Sequence, residues 1–172
     1  SVAAGVYEET LAFGSESDGG VIAGRCADMV QIGPGDDAPI VSVDAGRNGR
    51  IELQGVTLAG GDPAISVYQG TLGVTDVGIA DSVGEAVTVG GRSASVELTD
   101  VAIGGVQPRA RSAAGPYGIV VVDGFLDATR VDLVDVAGIG IFLANGDATL
   151  TDVSIVDMAT DNSGSMGRGI DA

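Results

Sequence analysis

The chain has 172 residues, of which 45% are hydrophobic, enough for one domain with its own core. Its 24 acidic residues face eight arginines and no lysine, a net charge of −16, so it lacks the basic footprint that nucleic acid and anionic membrane surfaces require. No apolar run approaches the ~20 residues that span a bilayer as a helix, and with no histidine every mechanism that turns on an imidazole is excluded.

In chain order, residues 1–50 read as irregular first coils. They hold an extended opening segment, Val2 to Glu9, and a second, Val21 to Cys26. Gly33-Pro34-Gly35-Asp36-Asp37-Ala38-Pro39 is a turn by composition, which makes Asp36-Asp37 turn residues rather than a catalytic pair. Cys26 is the only cysteine and reads as a small buried hydrophobe, since a catalytic thiol needs a base that this chain lacks.

Residues 51–172 are regular. One register runs through Gln54-Gly55-Val56, Thr75-Asp76-Val77, Thr99-Asp100-Val101, Thr129-Arg130-Val131 and Thr151-Asp152-Val153, in steps of 21, 24, 30 and 22 residues. A second runs through Ile65, Val87, Ile119, Ile141 and Ile170, in steps of 22, 32, 22 and 29. Short β-prone runs joined by turns at a period in the low twenties mark a stacked repeat. Each repeat holds three pieces, such as Ile51-Glu52-Leu53, Val56-Thr57-Leu58 and Ile65-Ser66-Val67. Their apolar residues lie two apart, the period of a strand with one wet face. Strands of three to five residues are expected. Gly55, Asp76, Asp100 and Asp152 are types that tolerate a left-handed corner. Arg130 is the exception, where the corner must be made differently or under strain. The fold class is all-β: a parallel β-solenoid of about five to seven coils in a single domain, 1–172. Scarce aromatics, 3% with no Trp, and 29 glycines suit a narrow aliphatic interior with many turns.

The repeated Val-x-Leu and Asp-Val-x-Ile cadence resembles right-handed parallel β-helix proteins of the pectin-lyase-like superfamily. The opening Ala4-Gly5-Val6-Tyr7-Glu8-Glu9 is similar to the segment that begins many of them, and Val21-Ile22-Ala23-Gly24-Arg25-Cys26 to a rung of bacterial β-helix surface proteins. The resemblance implies a right-handed, single-stranded β-helix and an extracellular or cell-surface location. It carries the fold and not an activity, because one scaffold hosts unrelated functions. The chain opens within a strand-like segment and stops where a further rung should start. It is therefore expected to be a piece of a longer chain, its ends capped by missing sequence or a partner.

Candidate site residues follow from loop length. Two corners swell, from Gly104 to Tyr117 and from Asp157 to Arg168, and insertions at one corner of a stacked repeat lie along one edge. At ~4.8 Å per coil these loops, two coils apart, stand about 10 Å from each other. Arg109, Arg111 and Tyr117 on the first and Asp157, Asp161, Asn162 and Arg168 on the second supply the guanidinium, carboxylate and ring that a glycan site uses. The adjoining sheet adds Asp123, with Tyr68 and Arg92. No catalytic or metal-binding set is assigned. A hydrolase pair with histidine, a lyase's carboxylate cluster and an esterase's aspartates with glutamines each lack a motif. No cofactor is called for, and Ca²⁺ enters only as a bridge to an anionic glycan. The expected function is a non-catalytic scaffold or surface for a polysaccharide or protein ligand. The alternative is a fragment of a polysaccharide lyase or esterase acting on an acidic polysaccharide.

Overall fold

A computed structural model describes residues 1–17, 19–34, 38–109, 116–160 and 167–172. Its strands in chain order begin with Gly5–Glu8 (β1), Leu11–Phe13 (β2), Gly20–Ala23 (β3), Val30–Gly33 (β4), Val41–Asp44 (β5), Arg50–Gln54 (β6) and Thr57–Ala59 (β7). They continue with Ile65–Ala80 (β8), Glu85–Gly90 (β9), Ala94–Val106 (β10), Tyr117–Val122 (β11), Phe125–Val136 (β12), Ile139–Ala144 (β13), Asp147–Val156 (β14) and Arg168–Asp171 (β15). Among the described residues the only helical element is a single 3₁₀ turn, Ala27–Met29. No helix there is long and apolar enough to cross a membrane.

The protein is all-β, one parallel sheet of 15 strands. Its pairings follow a three-part cycle. The first part pairs β2, β5, the start of β8, β9, β11, β13 and β15 in succession. The second part runs through β3, β6 and the middle of β8, then through β10, β12 and β14 up to Thr99, Thr129 and Thr151. The third takes β1, β4, β7 and the ends of β8, β10, β12 and β14. Residues 1–50 thus share the pairing cycle of residues 51–172.

Strand alternation sends one set of side chains inward as aliphatic rows. Leu53, Val74, Leu98, Ala128 and Leu150 face one another across five strands, and the first four are at most 1% exposed. Ile65, Val87, Ile119 and Ile141 form a second fully buried row. Burying a Leu or Ile of this kind stabilises by about 1.5–3 kcal/mol. Cys26 is a free thiol, half-buried rather than in the core.

β1 to β7 and β15 have the expected three to five residues, but β8, β10, β12 and β14 run to 16, 13, 12 and 10. The reason is the corner chemistry. Gly55, Asp76, Asp100, Arg130 and Asp152 all take left-handed backbone, with φ between 53° and 60°, and one such residue turns the chain without ending its pairing. Arg130 makes the same corner as its neighbours, φ 53°, so the corner is not made differently there. The strain of a long side chain in this region remains. A second column repeats the device: Gly60, Asp81, Gly105, Asp135 and Asp157, with φ between 53° and 86°, follow residues paired across β7, β8, β10, β12 and β14. Asp123 and Asn145 make a third such corner, φ 56° and 54°. Short Asn and Asp side chains tolerate this region where β-branched ones do not. Asp76→Val should therefore cost about 1–2 kcal/mol in urea unfolding, and Asp76→Asn no more than about 0.5 kcal/mol.

Candidate functional site

The strand register gathers part of the predicted site along one edge. Glu85, Tyr117, Ile139 and Arg168 are paired in succession across β9, β11, β13 and β15, which puts Tyr117 about 10 Å from Arg168. Arg109 reaches the same line through Glu85, with Nη2 2.5 Å from Oε2. Its other partner is Asp62, bonded through Nε at 2.8 Å and through Nη2. The guanidinium lies on Gly84, where a Cβ would come 2.6 Å from its carbon, so a glycine makes the room. Two short corners and the start of a long one are thereby fastened by one charge.

Each gathered residue is already engaged within the protein. Hydrogen bonding to Asp62, with the charges of Glu85 and Asp62 beside it, holds Arg109 still more firmly protonated than a free guanidinium. The Tyr117 ring packs on Phe142, centroids 5.4 Å apart. Arg168 bonds Asp171 at 3.0 Å. Asp157 is a left-handed corner residue, as the second column requires. Arg111, Asp161 and Asn162 lie outside the described residues. Asp123 is not with the others: it follows the far end of β11, about 20 Å along the strand from Tyr117.

At that far end the structure brings together what the sequence scattered. Tyr68 is 55% exposed and lies against Gly90, where a Cβ would sit 3.5 Å from its ring. Gly90 pairs with Val122, itself exposed. Around the corner, Arg92, Asp123, Phe125, Asn145 and Asp147 line an open depression of about 530 Å³. A second, of about 440 Å³, continues past Phe125 between Ser95, Glu97, Asp127, Asp147 and Thr149. Phe125 is 49% exposed in a line whose paired neighbours are Thr71, Ser95 and Asp147. Sequence reasoning passed over it, although the alternation Phe125-Leu126-Asp127-Ala128 puts an aromatic in the wet phase of the strand. That was the available signal.

Two further arginines are committed elsewhere. Arg50 donates to Glu52 at 2.5 Å and, across the side-chain-free Gly73, to both oxygens of Glu97 at 3.0 and 2.7 Å. The Glu52 carboxylate fills the space a Cβ at Gly73 would need. The bond from Arg50 holds the Glu97 carboxyl below the usual carboxylate range. Arg130 bonds both oxygens of Asp100 at 2.6 and 2.7 Å and lowers that carboxyl likewise. Among the described residues no group of three or more His, Cys, Asp or Glu is arranged to hold a metal ion.

No protein-family model, curated protein or solved structure matches the chain.

The Arg109 contacts are part-buried, so they count for more than a surface pair. Arg109→Met leaves two carboxylates facing one another and should cost about 1–2 kcal/mol in urea unfolding. Arg109→Lys should recover less than half of that, because an ammonium cannot serve both carboxylates with a planar fork.

Proposed function

We propose that the chain is a right-handed parallel β-helix and a non-catalytic segment of a bacterial extracellular or cell-surface protein. It serves as a rigid spacer whose outer faces bind a glycan or a protein. The observation that carries this reading is that the arginines best placed for chemistry are tied to carboxylates of the scaffold itself: Arg50 to Glu52 and Glu97, Arg109 to Asp62 and Glu85, Arg130 to Asp100. A guanidinium that bridges repeats acts as a staple. To serve as a catalytic base or substrate clamp it would have to leave two charges unpaired.

The three-part parallel pairing, repeated in one register, supports the β-helix. Its right-handedness follows the general preference of parallel crossovers, in line with the resemblance drawn from the opening residues. The extracellular location rests on that resemblance alone. An acidic-polysaccharide lyase or esterase fragment is the second reading, and Arg92 beside Asp123 and Asp147 is the residue mix that favours it. A polyuronate would meet three carboxylates near that corner, so Ca²⁺ would have to bridge it.

A panel of neutral, acidic and amino polysaccharides, with and without Ca²⁺, separates the two. Read for binding and for new reducing or unsaturated ends, it should give binding without new ends. Turnover of any member would replace the scaffold reading with the enzyme one.

A further inference from the structure

We propose that the corner between β11 and β12 is a binding site for a glycan that carries free amino groups. The proposal rests on reading the chain as a non-catalytic display surface and names the ligand class of that surface.

Three observations converge there. An aromatic ring stands half exposed in a polar line: Phe125, between Ser95 and Asp147. Open depressions flank it on both sides along the strand direction, so a chain can cross the ring and be held before and after it. The track starts at the Asp123 corner and follows β12 past Phe125 to Asp127. Lastly, the charge is lopsided. Asp123, Asp127 and Asp147 line the track against the single cation Arg92, while Glu97 is taken up by Arg50.

That combination selects by charge. A uronate chain would add like charges to three carboxylates. A neutral sugar would leave them without a counter-charge. An ammonium group beside an exposed ring gains both the attraction of the ring's electrons and that of the carboxylates. The hydroxyls of Ser95 and Thr149 and the amide of Asn145 provide donors and acceptors for sugar hydroxyls between the amino groups. A lysine-rich peptide would satisfy the carboxylates and could also bond these three through its backbone. The flat apolar face of a sugar ring, however, covers the open Phe125 ring while its amino groups reach the carboxylates on either side, which favours the sugar.

The test is a calorimetric titration of the whole chain with glucosamine hexamer, N-acetylglucosamine hexamer, galacturonate hexamer and hexalysine. Glucosamine hexamer should bind at least about tenfold more tightly than the other three, and more weakly as salt rises. Phe125→Ala should weaken it at least about threefold, and Phe125→Tyr should leave it within about twofold. Asp123→Asn combined with Asp147→Asn removes two charges and keeps the corner, since Asn145, the residue after Val122's partner Ala144, already takes left-handed backbone. That variant should also lose at least about threefold.

Equal binding of the acetylated hexamer or of hexalysine would overturn the assignment of an amino glycan. So would failure of glucosamine hexamer to bind. Tight binding that ignores both Phe125→Ala and the double Asn variant would overturn the site while leaving a glycan-binding surface elsewhere. Cleavage of any oligomer during the titration would instead overturn the non-catalytic reading beneath the proposal.

Discussion

A residue in left-handed backbone at the same point of each repeat is the constraint on which the structure depends. A strand can be turned by one such residue and continue to pair, as β8, β10, β12 and β14 do at Asp76, Asp100, Arg130 and Asp152. If the corner shifted by one residue, the alternation beyond it would send Val77, Ile79 and their counterparts outward. Corner and core are therefore one specification. The aliphatic rows supply the energy, and the Gly, Asp and Asn columns decide which side chains receive it.

Building corners from aspartate has an electrostatic consequence. Seven of the nine non-glycine residues with positive φ among the described residues are Asp, so the fold's geometry accounts for part of the net charge of −16. The arginines answer this locally. Arg130 occupies a corner where its row has Asp and bonds the Asp100 of the preceding repeat. Arg109 and Arg50 each join carboxylates from different repeats. Among the described residues, the outer face at Phe125 presents an open ring, with Asp123, Asp127 and Asp147 lining the depressions beside it.

Much of this was legible in the sequence, and the limits have physical causes. The Thr-Asp-Val register announced one corner column because the residue before each valine repeats with little variation. The second column, Gly60, Asp81, Gly105, Asp135 and Asp157, lies five residues after the first and keeps its steps of 21, 24, 30 and 22. The sequence shows corner loops there, but their unequal lengths draw the eye to the loops and away from the one left-handed residue that opens each. Asp157 and Asp123 were accordingly read as ligands, where their first task is to turn the chain. The arginine partnerships could not be read at all, because Arg109 meets a residue 47 positions away. Only the three-dimensional stacking brings those residues together. The longer pieces, Ile65–Ala80 above all, looked short in the sequence because a corner aspartate resembles the end of a strand.

The register itself is what a distance measurement tests most directly. Gln54, Thr75, Thr99, Thr129 and Thr151 are paired in succession, so four strand spacings separate the first from the last, about 19 Å. Spin labels at Gln54→Cys and Thr151→Cys, with Cys26→Ser, should give a narrow distribution near ~20 Å in a pulsed dipolar experiment. A broad distribution, or one centred beyond ~35 Å, would contradict the stacked parallel register and with it the placement of every residue assigned to the Phe125 corner.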